Sequence, residues 1–193
     1  MTARPSRVTP QLAHAVGRLS VLAIGGSAVL ALARGDVAQF ITLSVLTAGA
    51  LVVVPFNVAP AFECALLLVL AVQAVARLLG LPVEVAYWDA GAHFVTSAAA
   101  TPVAYLMLTR IGLTFDPRKL RGSALAFGLL LIAGGCGLAL GAAWELFEWA
   151  ADETVGTDYS IGYADTIADL VADALGTAAG AVGLLLYGLR GGS

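Results

Sequence analysis

Six predominantly apolar stretches of roughly twenty to thirty residues follow one another along this chain, and runs of that length and continuity restrict it to a helical membrane protein. In hydrocarbon the backbone N–H and C=O groups must be satisfied within the spanning segment, and a continuous apolar run satisfies them as a helix. The windows fall at roughly 16–34, 37–55, 60–79, 90–112, 123–151 and 164–189, with edges uncertain by about two to four residues. Arg34-Gly35-Asp36, Pro55-Phe56-Asn57 with Pro60, Gly80-Leu81-Pro82 and Asp116-Pro117 punctuate them. Of the 193 residues 60% are hydrophobic and 12% charged. A soluble domain carries about 25% charged residues, so a soluble fold is excluded. Six spans use roughly 120 positions and leave only short loops. The expected architecture is therefore an all-α, polytopic bundle of about six transmembrane helices forming one membrane domain over residues 1–193.

The charges orient the bundle. Arg4, Arg7 and Arg18 precede the first span, Arg110, Arg118, Lys119 and Arg121 lie between the fourth and fifth, and Arg190 follows the last. Basic residues mark cytoplasmic segments, so both termini are expected inside, in a multi-pass protein of the cell (inner) membrane. The segments left outside carry Glu84 with Asp89, then Asp152, Glu153 and Asp158; Arg34 and Arg77 lie near that face against the rule. Arg4, Arg7 and Arg18 ahead of an apolar run ending Ala31-Leu32-Ala33 also have the shape of a signal peptide. Because that run leads directly into another, a retained first helix is expected. Cys64 and Cys136 fall inside apolar runs and read as small packing residues. Gly137 with Gly141 and Gly176 with Gly180 allow close helix approach, within the bundle or, alternatively, in a homo-oligomer through helices five and six.

Acidic residues then stand where lipid disfavours them. The sixth helix opens with Asp165, Asp169 and Asp173 at spacings of four, one face of a helix, over about 12 Å of its length. An aspartate at a helix centre costs about 2.5 to 3.5 kcal/mol on the insertion scale, so the row needs a cation, bound protons or water. The fifth helix ends Trp144-Glu145-Leu146-Phe147-Glu148-Trp149 and runs on to Asp152, with Glu145, Glu148 and Asp152 on one face. The tryptophans mark the headgroup level, and Asp152 and Glu153 read as a helix end meeting water. The fourth helix begins Tyr87-Trp88-Asp89 and places His93 one turn after Asp89. The other histidine, His14, lies in the N-terminal segment and reads as a surface residue. Carboxylates with one imidazole suit a divalent cation, with Mg²⁺, Mn²⁺, Ca²⁺ and Zn²⁺ all admissible.

Two histidines exclude a histidine-rich desaturase site and an H-E-x-x-H zinc site, and the chain has neither a G-x-S-x-G elbow nor a P-loop. The aspartate row is similar to half of the CDP-alcohol phosphotransferase signature, but the D-G-x-x-A-R element that should precede it is missing. The set Trp88-Asp89-x3-His93-Phe94, Trp144-Glu145-Leu146-Phe147-Glu148-Trp149 and Asp165-Thr166-x2-Asp169-Leu170-x2-Asp173-x2-Gly176 resembles the YjdF-like family of small bacterial and archaeal inner-membrane proteins, and more distantly VanZ-like proteins. The resemblance covers roughly residues 85–185. It implies a six-helix membrane protein with its polar motifs in the second half, and through the VanZ-like proteins it hints at lipid or cell-envelope chemistry, an analogy of fold alone.

Three functions fit these residues. In a metal-dependent membrane enzyme acting on a lipid or lipid-linked phosphate, His93, Glu145, Glu148, Asp165, Asp169 and Asp173 form the metal set, while Asp89 orients His93, itself a ligand or general base. In a proton or cation transporter or channel, the aspartate row forms the path. In a structural role, a cation holds helices four to six together. The expected partners are membrane lipid and a lipid or lipid-linked substrate; no nucleic-acid partner is expected.

Overall fold

Why the chain breaks where it does is visible in its turns. The computed structural model describes residues 8–81, 87–157 and 162–191; Arg4, Arg7, Pro82, Glu84 and Asp158 lie outside them. All regular structure among the described residues is helical: α1 (Val8–Ala33), α2 (Val37–Val53), α3 (Pro60–Leu78), α4 (Trp88–Arg110), α5 (Gly122–Val155) and α6 (Tyr163–Gly191), with short 3₁₀ turns at Val54–Phe56 and Pro117–Lys119. Five of the six, all but α4, are long and apolar enough to cross a membrane. The fourth has 23 residues, about 34 Å of helix, and falls short in apolarity because it carries polar residues, of which His93, Ser97 and Thr101 are buried. The chain is thus a polytopic helical membrane protein.

Helix α1 starts well before the apolar window near residue 16, since hydropathy marks what lipid accepts and the helix continues through the polar turn holding His14. The described chain forms two compact units, residues 1–79 and 80–193. In the first, α1 and α3 form the most extensive contact, with α2 beside them and Ile24, Leu43 and Leu67 fully buried. The Asp36 side chain caps α2 by accepting from the Gln39 N–H at 2.9 Å, and Pro60 occupies the first turn of α3, where a missing N–H costs nothing. Arg34 and Gln39 donate to the Leu78 and Arg77 carbonyls at 3.0 Å each. These close the free C-terminal carbonyls of α3, which accounts for an arginine against the charge rule.

In the second unit α4 and α6 pack most extensively and α5 touches both. Gly176 and Gly180 create that contact: a Cβ on Gly176 would fall on the Phe94 carbonyl oxygen, and one on Gly180 on that of Ala98. Pro102 lies inside α4 and lacks the N–H that would bond the Ala98 carbonyl. The carbonyl left without that bond is the one Gly180 lies against. At the far end Tyr105, fully buried, donates from its hydroxyl to the Phe115 carbonyl at 3.2 Å.

Candidate functional site

The inward row of α4 is Asp89, His93, Ser97 and Thr101, spaced by four residues, and α6 presents Asp165, Asp169, Asp173 and Thr177 at the same spacing. Between them α5 offers Gly137, Gly141, Glu145 and Glu148. Glycine on α5 makes the meeting possible: the space a Cβ on Gly141 would take holds the Asp173 carboxylate, and that of Gly137 holds the Thr101 and Thr177 hydroxyls.

His93 is the centre. Its Nδ1 lies 3.2 Å from Asp173 Oδ2, and the other Asp173 oxygen accepts from the Ser97 hydroxyl at 2.6 Å. Its Nε2 lies 3.7 Å from Glu145 Oε1, an oxygen buried without a hydrogen-bond partner among the described residues. Two ligand sets share this imidazole, Asp89 with Asp169 and Glu145 with Asp173, and in each set one donor atom per residue lies within 4.8 Å of the others. Asp169 and Asp173 are each 2% exposed and Glu145 9%, while Asp89 is half-buried. A gap of 3.7 Å is too long for a hydrogen bond but matches the span of two ligands each about 2.1 Å from one ion. If ionised, four carboxylates around one imidazole leave excess negative charge in a low-dielectric interior, which a cation, bound protons or water has to offset.

The structure thus gathers Asp89, His93, Glu145, Asp169 and Asp173. It leaves Asp165 exposed at the start of α6, and Glu148, although buried, belongs to neither ligand set. The partner of the His93 Nδ1 atom is Asp173, where Asp89 was expected. Ser97 was not anticipated from the sequence; the signal for it was the same four-residue step that links Asp89 to His93, carried one turn further. Trp149 is exposed and Trp144 packs on Phe147 with ring centroids 5.2 Å apart, so both tryptophans stand beside the site without entering it.

A family model described as "Predicted membrane protein (DUF2238)" matches residues 14–190. The chain belongs to this family. The assignment agrees with the YjdF-like resemblance and extends it over the first three helices. Neither a curated protein nor a solved structure matches the chain. For this DUF2238 protein the chemistry must accordingly be argued from the His93 site itself.

Proposed function

We propose that the second unit binds a divalent cation at His93 and uses it on a membrane lipid or lipid-linked substrate. The observation that carries this reading is the asymmetry of the imidazole. One nitrogen is tied to Asp173, which Ser97 holds in turn, and the other faces the unpartnered Glu145 oxygen across a ligand-to-ligand distance. Metal-binding histidines characteristically give their second nitrogen to a carboxylate that fixes ring orientation. In this reading Asp173 orients the ring, while His93 Nε2, Glu145, Asp169 and Asp89 supply ligands. Asp165 and Glu148 lie outside the set. One imidazole among carboxylates favours Zn²⁺ or Mn²⁺ over Ca²⁺ or Mg²⁺. Such an ion polarises a phosphoryl or carbonyl oxygen or activates water. The half-buried Asp89 gives an approach from the helix ends, where the charge rule puts the non-cytoplasmic surface.

The test is metal content of the purified full chain by mass spectrometry. About one ion per chain is expected in the wild type and none in Asp169→Asn or His93→Ala. A wild type without metal after supplementation with all four ions sinks the reading.

A proton or cation path is the second reading, favoured by Thr177, whose buried hydroxyl has no hydrogen-bond partner among the described residues and extends the polar row one turn beyond Asp173. Flux into liposomes abolished by Asp173→Asn supports it, and flux equal to that of empty liposomes dismisses it.

A further inference from the structure

At the end of the second unit away from His93, five basic residues have so far served only to orient the chain. Arg110 closes α4, Arg118, Lys119 and Arg121 follow in the connection to α5, and Arg190 lies in the last turn of α6; all five are exposed. Asp116 is the only acid between Asp89 and Glu145, and α6 has none after Asp173. Its carboxylate pairs with the Arg118 guanidinium at 2.8 Å. Five positive charges thus meet one negative charge, and a surface of that kind attracts anions.

The segment that carries these charges is fastened to the helix ends on both sides. Toward α4, the Thr109 and Thr114 hydroxyls lie 2.8 Å apart, and Tyr105 holds Phe115 through its hydroxyl and an edge-on ring contact at 6.1 Å. Toward α6, Pro117 is fully buried, and two glycines make room for the turn it opens. A Cβ on Gly188 would stand 2.6 Å from the Pro117 carbonyl oxygen, and one on Gly191 2.6 Å from Arg118 Cγ. The turn therefore rests on the last turn of α6 and brings the Arg118 side chain against the residue next to Arg190. Ile111, Leu113, Phe127 and Leu189, neighbours of the basic residues in the chain, are large, apolar and at least 56% exposed. A phosphate ion in water has no use for such an apolar margin, whereas a lipid matches both parts, headgroup to the charges and acyl chains to the margin.

We infer that this end of the second unit is a binding site for an anionic membrane lipid, whose headgroup phosphate is held by Lys119 and Arg121 in the field of the other three basic residues. The charge rule puts the site at the cytoplasmic leaflet. It is independent of any metal at His93, since about 25 Å of helix separates Arg190 from Asp173. Asp116 tempers the site by engaging Arg118 and leaves Lys119 and Arg121 to meet the phosphate.

Native mass spectrometry of the delipidated full chain in detergent, titrated with phosphatidylglycerol or with phosphatidylcholine of the same acyl chains, counts the bound lipids. The wild type is expected to bind phosphatidylglycerol more tightly. Lys119→Gln should weaken that binding about fivefold, and the double variant Lys119→Gln, Arg121→Gln about 25-fold, with phosphatidylcholine binding and metal content unchanged. Lys119→Arg, which keeps the charge, should bind as the wild type does. Equal affinity for the two lipids overturns the inference. So does a loss in Arg18→Gln, an exposed arginine of the first unit, equal to that in Lys119→Gln, because net charge and not this site would then set the affinity. Complete displacement of phosphatidylglycerol by inorganic phosphate also overturns it and makes the site one for a free anion. If the double variant does not fold, Lys119→Gln against Lys119→Arg decides: identical affinities reject the site.

Discussion

Two kinds of glycine distinguish the two units. In the first, Gly26 and Gly49 face open space and Gly17 and Gly25 face only side chains, Leu67 and Thr47, and the unit is held by apolar side chains such as Ile24, Leu43 and Leu67. In the second, Gly176 and Gly180 press on α4 carbonyls while Gly137 and Gly141 house polar side chains. Lipid gives two apolar helices little reason to associate, so close backbone approach and hydrogen bonds must do it. The second unit uses its small residues for that purpose and, in the same seam, to fit carboxylates between helices. Its glycines are therefore part of the site's construction.

The largest effect should come from Gly176→Ala. The new methyl would meet the Phe94 carbonyl group and, at 3.1 Å, the Ala98 amide nitrogen, so backbone rather than a flexible side chain has to move. Overpacking of this kind costs about 1 to 3 kcal/mol and more where backbone must shift, and the upper end is expected. Gly26→Ala in α1 meets nothing within 4 Å and should be neutral or stabilise the helix by up to about 1 kcal/mol. Thermal unfolding in detergent measures both, and equal melting temperatures for the two variants would erase the distinction between the units.

Ser97→Ala comes next. It leaves the second Asp173 oxygen buried without its hydroxyl donor, and hydrogen bonds to charged groups contribute about 1.5 to 3 kcal/mol. Ser97→Thr keeps a hydroxyl and should recover most of that stability. Loss of the same amount in both variants would mean that shape at this position matters and the hydrogen bond does not.

Gly141→Ala sharpens the comparison from the side of the metal. Its methyl needs the place of the Asp173 carboxylate, a side chain that can rotate, so the fold should survive while the His93 ring loses its anchor. Metal affinity is then expected to fall by about 10- to 100-fold, the range for losing an orienting partner. Isothermal titration with Zn²⁺ or Mn²⁺ measures it; unchanged affinity would remove Asp173 from the orienting role.

These variants also mark what could be read from the sequence. Apolar length and same-face spacing, properties of one helix at a time, made legible the six helices and a candidate set of Asp89, His93, Glu145, Glu148, Asp165, Asp169 and Asp173, of which the structure brings Asp89, His93, Glu145, Asp169 and Asp173 together. Which carboxylate meets Nδ1 was not legible, because that depends on how near α6 comes to α4 and α5. That distance is set by glycines whose effect appears only once the helices are packed. Nor could spacing sort Asp165 from Asp169: each four-residue step turns about 40° around a helix, so the three aspartates fan across roughly 80° and cannot all face one imidazole. Glu148, three residues after Glu145, turns the opposite way by about 60° for the same reason.

The smallest effect is expected where the second unit's polar groups meet water. Asp116 caps the Pro117–Lys119 turn by accepting from the Arg118 N–H at 3.0 Å, and its carboxylate pairs with the Arg118 guanidinium at 2.8 Å. The guanidinium hydrogen bonds hold the Asp116 carboxyl below the usual carboxylate range. A depressed folded value stabilises the fold above the unfolded value of about 3.9 and loses that contribution as pH falls through the lower folded one. Because the Arg118 side chain is 57% exposed, solvent screening keeps the pair to less than about 1 kcal/mol. Asp116→Asn should therefore lower stability slightly at pH 7 and progressively less as the pH falls through the lowered folded value, below which the wild-type carboxyl is protonated as well. If instead this variant destabilised the protein as much as Ser97→Ala at pH 7, burial would not be what gives the polar groups of the second unit their weight.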